Sequence, residues 1–290
     1  MSASIAVIVP TRNRERLLAR CLDSLQRQTL FADRFTVFVV DDGSTDNTVS
    51  MLRSRGMAYK SIPHSGPAVA RNKGVRATQS ELIVFIDDDA VADPGWLSTV
   101  FQAFREGRLR DAAEGDVLRL GDDLPLSHSV HHSGPGGFLT CNLAVTRSCF
   151  EKNSGFDERF RHPINEDFDF FIRLRKTGAQ LEYLPGFTVR HPVEKLAFWP
   201  ALKGASDYAQ RRTAADALLY RLHPMEYAKV KADDDAWGTL RRLSTRYALT
   251  EALRPYSRFV FHPVRGTLWL LVCLARQAAF LRLRLKGGAV

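Results

Sequence analysis

The sequence predicts an α/β protein with a doubly wound, mostly parallel sheet flanked by helices and followed by a helical C-terminal region. Two observations carry this prediction. Apolar, β-branched runs alternate with segments of helical periodicity through the first hundred positions, a pattern typical of parallel sheets. Polar clusters follow three of the predicted strands, and ligands of such sheets bind beyond the carboxyl ends of the strands.

The predicted elements follow in a regular order. Strands are expected at 4–9, 35–40, 57–61, 81–86, 138–145, 180–183 and 187–190. Helices are expected at 14–27, 45–55, 67–78, 94–105 and 165–177. The polar stretch 121–137 contains Gly and Pro and predicts a long surface loop. The pattern turns helical and aromatic-rich from Glu194 onward, so we predict domains at 1–194 and 195–290.

The four cysteines form no CxxC pair and have no metal-ligand spacing, which indicates a reducing compartment. The N-terminal sequence has no basic leader before an apolar core, and it predicts a first strand instead of a signal peptide. We therefore expect a cytoplasmic protein.

The net charge of +9 is concentrated at one end of the chain. Residues 236–290, here called the basic tail, contain nine arginines and Lys286 against the single acid Glu251, which accounts for the whole net charge. This asymmetry argues against a nucleic-acid-binding surface and favours contact with the anionic cytoplasmic face of a membrane. The apolar stretch 267–281 is shorter than the ~20 residues that a span requires. It predicts an interfacial helix, with a helix packed on the catalytic domain as the alternative.

Acidic and basic residues follow the predicted strands. Asp42 follows the second strand, and its carboxylate can accept a hydrogen bond from a ring N–H of uracil, thymine or guanine. Asp87, Asp88 and Asp89 follow the fourth strand, where three adjacent carboxylates repel one another unless a cation offsets them. Their oxygen atoms suit Mg²⁺ or Mn²⁺. Arg71 lies in a helix that begins near Gly66, a good setting for a diphosphate.

Five motifs occur in order along the chain: VIVPTRNR, VVDDGSTD, HSGPAVARNKG, FIDDDAVADPGWL and NEDFDFFIRLRKTG. Together they resemble the inverting family 2 glycosyltransferases of the GT-A fold over residues 4–192. The resemblance implies a GT-A-like domain that transfers a sugar from a nucleoside-diphosphate sugar to an acceptor hydroxyl. No GxGxxG follows the first strand, which disfavours a dinucleotide-binding domain.

The resemblance also implies roles for individual residues. It assigns Asp42 to the nucleobase, Asp89 to the metal, and Asp167 to the general base that takes the proton from the acceptor. His191 would meet the metal or the diphosphate. The remaining donor-side candidates are Pro10, Thr11, Arg12, Arg71 and Asn72, with Asp87 or Asp88 on the ribose hydroxyls.

Some of these residues have simpler explanations. An acid at a helix start, such as Asp167, also complements the helix dipole, and we expect Asp169 to pair with Arg173 one turn later. His128, His131 and His132 lack a fourth ligand at zinc spacing, so we expect them in a loop that covers the acceptor.

The sequence therefore predicts a metal-dependent, inverting glycosyltransferase. A UDP-sugar is the favoured donor, and the acceptor is a glycan, a lipid-linked group or another hydroxyl in polysaccharide, glycolipid or other glycoconjugate biosynthesis. A nucleotidyltransferase on a related sheet and a non-catalytic nucleotide-binding module are the alternatives. We expect no nucleic-acid partner.

If the basic tail contacts a membrane surface, the full chain should sediment with anionic liposomes at low salt. Binding should fall steeply with added salt, because each basic group near such a surface contributes ~1 kcal/mol that salt screens. Removal of residues 236–290 should abolish it. Equal binding to neutral vesicles, or none at low salt, would instead favour a helix packed on the protein.

Overall fold

A computed structural model of the chain describes residues 5–121, 127, 128, 130–195 and 198–227. Its contacts divide the chain into two units: Met1–Leu120 with Val130–Pro192, and Gly121–Ser129 with Val193–Val290. The boundary predicted at 194 lies next to the end of the first unit. The basic tail lies outside the described residues, so its predicted helix stays a prediction.

The described strands and helices follow in chain order. They are β1 Ile5–Thr11, α1 Glu15–Gln26, β2 Phe35–Asp41, α2 Thr48–Ser54, β3 Tyr59–Ser61, α3 Pro67–Arg76, β4 Leu82–Ile86, β5 Val91–Ala92, α4 Trp96–Arg105, β6 Ala112–Glu114, β7 Val117–Leu120, β8 Ser127–His128, β9 Asn142–Thr146, α5 Arg147–Lys152, α6 Glu166–Lys176, β10 Leu181–Tyr183, β11 Val189–Pro192, β12 Glu194–Lys195 and α7 Phe198–Leu222. The antiparallel pair β8–β12 and helix α7 belong to the second unit.

The main sheet has seven strands in the order β10-β6-β9-β4-β1-β2-β3. Strand β9 runs antiparallel to β4 and β6, and the other neighbours are parallel. The predicted mostly parallel sheet is confirmed. A smaller sheet, β5-β11-β7, carries residues 189–192. Strands β4 and β9 are buried along their whole length, which explains their nearly continuous apolar sequences.

Helices α1 and α3 cover the two faces of this sheet. Helix α1 buries Leu18, Cys21, Leu22 and Leu25 in one core cluster. Helix α3 lies close to β1 at Gly74, where an added Cβ would be 2.4 Å from Cγ2 of Ile8. This approach fixes the height of α3 above the sheet and thereby the positions of the side chains one turn earlier.

The structure corrects the prediction between residues 106 and 146. The predicted strand at 138–145 begins only at Asn142, because Phe138 has a φ of 41° and the N–H of Asn142 donates to the carbonyl of Leu139. Strands β6 and β7 were not predicted. Both are short: β6 ends at Glu114, and β7 begins directly after Asp116. Elsewhere in the chain β5, β8, β12 and α5 were not predicted either, and each is six residues long or shorter.

Within the residues described, none of the helices combines the length and the apolar composition needed to cross a membrane.

Gly115 lies between β6 and β7, where a Cβ would stand 1.8 Å from the carbonyl oxygen of Phe187. Gly115→Ala should therefore lower the free energy of unfolding by about 1–3 kcal/mol, since that carbonyl cannot move without disturbing its hydrogen bond with Asn142. Urea denaturation measures the change. Gly95→Ala is the matched control: it adds a methyl group in open space and should change stability by less than about 0.5 kcal/mol. Equal values for the two variants would contradict the steric account.

Candidate active site

The ends of three neighbouring parallel strands bring polar side chains to one edge of the sheet. Thr11 and Asp41 are register partners at the ends of β1 and β2. Asp88 follows β4, and one of its carboxylate oxygens accepts a 2.7 Å hydrogen bond from the hydroxyl of Thr11. The sequence-predicted convergence of these loops is therefore present in the structure.

Asp88 and Asp89 share one guanidinium. Nη1 of Arg14 lies 3.0 Å from Asp88 and 2.5 Å from Asp89. Burial nevertheless raises the pKa of Asp88 to about 7, because the arginine offsets only part of the desolvation. Arg12 was the arginine predicted for this site, and Arg14, which belongs to the same string PTRNR, was not predicted. Arg12 is exposed in the structure.

The small sheet brings His191 to the same acids. Its Nε2 atom lies 3.0 Å from Oδ1 of Asp89. Burial would raise the pKa of Asp89, but the contact with His191 and the charge of Arg14 outweigh it and lower that pKa. Burial disfavours the protonated form of His191. The negative charges of Asp89 and Asp87 outweigh this effect and raise the pKa of the imidazole.

The carboxylate of Asp42 holds the loop that leads into α3. It accepts hydrogen bonds from the backbone N–H groups of Ser65 and Gly66 at 2.7 and 2.9 Å, and its Oδ2 lies 2.8 Å from Nδ1 of His64. Gly66 is required here, since it has a φ of 97° and a Cβ would lie 2.3 Å from a carbonyl oxygen of Arg161. A carboxylate has about four acceptor positions, so Asp42 retains capacity for a further donor.

Arg71 is a buried bridge between the acidic edge and helix α6. Its Nη2 donates to Asp87 at 2.8 Å, its Nη1 donates to Glu166 at 3.1 Å, and its side chain is 3% exposed. Burial raises the pKa of Glu166 to about 8, with the charge of Asp167 adding to the shift and Arg71 opposing it. The Nε atom of Arg71 is buried without a hydrogen-bond partner among the described residues. The bridge fixes the start of α6 relative to the end of β4.

Asn72 holds a second segment in place. Its amide donates to the carbonyl of Phe156 at 2.8 Å and to Glu158 at 3.0 Å, and it accepts from the N–H of Phe156 at 2.9 Å. Any contribution of Asn72 to donor binding would therefore act through the segment that it positions. Its predicted donor contact stays a prediction.

Helix α6 begins with three acids in different environments. Arg71 binds Glu166, and Arg173 binds Asp169 at 2.6 Å, as predicted for an i,i+4 pair. Asp167 is half-buried, and its Oδ1 accepts a 2.8 Å hydrogen bond from the N–H of Phe168. Burial raises the pKa of Asp167, and the hydrogen bond and Arg71 offset part of that shift. A carboxylate of raised basicity beside this polar edge of the sheet can accept a proton.

Two acids that the sequence analysis did not consider organise the glycine-rich segment 133–138. Glu114 accepts hydrogen bonds from the N–H groups of Gly136 and Phe138, the second at 2.6 Å. Asp116 accepts from the N–H of Gly134 at 3.1 Å and from the hydroxyl of Tyr183 at 2.8 Å. The sequence signal is the string SGPGG, whose main chain requires acceptors wherever it is buried.

The residues present fit a divalent cation only in part. Across the described part of the chain, no three His, Cys, Asp or Glu side chains converge as a complete metal site. Asp89 and His191 do meet, and Oδ1 of Asp89 is buried without an aligned hydrogen bond from any described residue. Mg²⁺ commonly takes one or two carboxylates together with substrate phosphates, so this pair suits an ion that binds with a diphosphate.

A mostly parallel sheet with acidic strand ends and an acid pair on a following helix is the arrangement of the GT-A fold. Solved structures have the same fold. The mannosyltransferase PcManGT from Pyrobaculum calidifontis, in complex with GDP-Man and Mn²⁺, superposes with a TM-score of 0.60 at 18% identity over 96% of this chain and 88% of that chain. TarS from S. aureus, residues 1–349 in complex with UDP-GlcNAc, superposes with a TM-score of 0.57 at 18% identity over 94% and 87% of the two chains.

A family model and curated relatives match the sequence. Residues 6–118 match the family model described as glycosyl transferase family 2, the family that the motifs of the sequence resemble. It is 38% identical over 221 residues to validoxylamine A glucosyltransferase from Streptomyces hygroscopicus subsp. limoneus, covering 61% of this chain and 49% of that protein. It is 30% identical over 213 residues to pre-mycofactocin glycosyltransferase from Mycobacterium tuberculosis, covering 64% and 42%. The chain thus spans half or less of the length of these two curated relatives.

Proposed function

We propose that this protein transfers a sugar from a nucleoside-diphosphate sugar to an acceptor hydroxyl, with inversion at the anomeric carbon. The observation that carries the proposal is the buried bridge from Asp87 through Arg71 to Glu166, which sets Asp167 beside the donor edge. A base held at a fixed distance from the donor is what direct displacement needs. No protein nucleophile takes part.

The donor lies across the acidic edge. Asp42 accepts from the nucleobase with the acceptor capacity that its loop leaves free, and the ribose hydroxyls contact Asp87 or Asp88. The backbone of Pro10, Thr11 and Arg12 borders the donor. The cationic groups of Arg14 and Arg71 already lie on these carboxylates, so they reduce the repulsion that an incoming diphosphate meets.

Asp89 and His191 would hold Mg²⁺ or Mn²⁺ together with the diphosphate of the donor. When bound, such an ion neutralises the charge that develops on the departing nucleoside diphosphate. The pairing of Asp89 with His191 and Arg14 keeps that carboxylate ionised, as its lowered pKa indicates. It is therefore available as an oxygen ligand at neutral pH.

Asp167 accepts the proton of the attacking hydroxyl. Its raised pKa makes it a stronger base than an exposed aspartate, and general-base catalysis of this kind accelerates reactions by ~10²–10⁴. Glu166 and Asp169 are engaged by arginines, so neither competes for the acceptor proton.

Names of related proteins support the donor class. The neighbour solved with UDP-GlcNAc supports UDP-sugars, and the relative named as a glucosyltransferase supports a glucosyl group. The neighbour solved with GDP-Man adds GDP-sugars to the panel to be tested. The acceptor is a glycan, a lipid-linked group or another hydroxyl. If the basic tail contacts the cytoplasmic face of a membrane, the enzyme meets its acceptor at that membrane surface.

The two alternatives make different products. A nucleotidyltransferase would attack the α-phosphate and release pyrophosphate, with no use for an acid at the position of Asp167. A non-catalytic module would bind nucleotide without turnover. Sugar transfer from a nucleotide-sugar panel separates all three.

Asp167→Asn keeps the size and the hydrogen bond of the side chain but removes its basicity. Sugar transfer should fall by ~10²-fold or more while donor affinity stays near that of the wild type. As the pH is lowered, wild-type activity should begin to fall at a pH above the pKa of an ordinary aspartate. The reason is that the pKa of Asp167 is raised, and its protonated form cannot act as a base. Asp33→Asn, in an exposed turn, is the matched control. A well-folded Asp167→Asn enzyme with normal transfer would exclude this base.

Chelation tests the metal. EDTA should abolish transfer and weaken nucleotide binding, and added Mg²⁺ or Mn²⁺ should restore both, since Asp89 and His191 bind the ion only together with the diphosphate. Asp89→Asn should behave like the chelated enzyme in nucleotide titrations by calorimetry. Full activity in chelator would show that Asp89 and His191 serve another purpose.

A further inference from the structure

Helix α6 carries aromatic side chains where a surface helix normally carries polar ones. Its inner face buries Glu166, Phe170 and Leu174. Phe168 and Phe171 are both partly exposed, and their ring centroids lie 6.3 Å apart. Phe171 also packs against the core cluster that contains Phe170. Phe171 follows Asp167 by four residues, so the two side chains lie on the same face, about 6 Å apart along the axis.

The glycine-rich segment 133–138 supports this aromatic face. The ring of Phe138 stacks on Phe171 at a centroid distance of 4.6 Å and an interplanar angle of 22°. Phe138 has a φ of 41°, a left-handed conformation that a bulky residue rarely adopts. The hydrogen bond from its N–H to the buried Glu114 holds it there. Strained residues of this kind concentrate at ligand sites.

We propose that Phe168 and Phe171, supported by Phe138, form the acceptor subsite and that they bind a six-membered polyol ring, a pyranose or a cyclitol. The inference rests on the proposed function, because it takes Asp167 as the base. A hydroxyl within hydrogen-bond distance of Asp167 places the rest of its ring over the next turn of α6, where these phenylalanines lie. The exposed parts of these aromatic rings, with their negative π density, complement the polarised C–H groups of such a polyol ring.

The polar surroundings agree with this occupant. The guanidinium of Arg175 is exposed and lies over the ring of Phe171, 5.8 Å from the ring centroid, so a hydrogen-bond donor lies against this aromatic pair. An acceptor subsite that combines an apolar floor with a few polar groups is typical of small-molecule sites. An open-chain polyol has no ring face to place on Phe168 and Phe171.

The test compares ring and open-chain acceptors. Wild-type protein is first screened for hydrolysis of UDP- and GDP-sugars without acceptor, and the active donor is then used with methyl glucoside, myo-inositol, glycerol and ribitol. Phe168→Leu and Phe171→Leu should each raise KM for the ring acceptors about three- to tenfold, the loss expected for one aromatic contact. The KM for the donor and the transfer to glycerol should change much less. Phe171→Tyr, which keeps the aromatic ring, should leave the KM for ring acceptors near its wild-type value.

Phe31→Leu is the matched control, since Phe31 is 77% exposed outside this face, and it should leave all rates unchanged. Unchanged KM for ring acceptors in both leucine variants, with donor hydrolysis intact, would overturn the subsite alone. Equal losses toward ring and open-chain acceptors would also overturn it. Absence of hydrolysis of every donor by the wild type would overturn the proposed function and the subsite with it.

Discussion

The site depends on the balance of charge among carboxylates that the sheet gathers at one edge. Asp87, Asp88 and Asp89 follow a single strand, and Glu166 and Asp167 begin the helix beside them. Two arginines hold this cluster together: Arg14 on Asp88 and Asp89, and Arg71 between Asp87 and Glu166. The raised pKa values of Asp88 and Glu166 show that the compensation is incomplete. A further cation, or protons, would complete it.

The sequence predicted the parallel strands and their acidic ends, because long apolar runs and motifs of fixed spacing are local signals. It did not predict β6, β7 or the role of Glu114, since strands of three or four residues have no distinct period. It placed Arg12 and missed Arg14 because two arginines in one loop differ only in the direction of their side chains. The bridge through Arg71 joins residues far apart in the chain, and no local pattern contains that pairing.

Acids in this protein serve two purposes that a sequence motif cannot separate. Asp42, Glu114 and Asp116 accept hydrogen bonds from backbone N–H groups of glycine-containing loops. Each such contact gives an acceptor to main-chain donors that no strand or helix pairs. Asp167, in contrast, uses one oxygen atom for the N–H of Phe168 and keeps the other for a ligand under the proposed function. The loops are therefore held by the same residue type that performs the chemistry.

The antiparallel strand β9 divides the site into two separately encoded halves. Parallel strands deliver to the site the residues that follow them, whereas β9 delivers the residues that precede it. Under the proposed function the donor side therefore comes from residues 10–89, with His191 as the exception, and the acceptor side comes from residues 114–171. The family model matches 6–118, which covers the first half and stops as the second begins. Exchange of the second segment between relatives would therefore offer a way to graft a new acceptor preference onto an unchanged donor module.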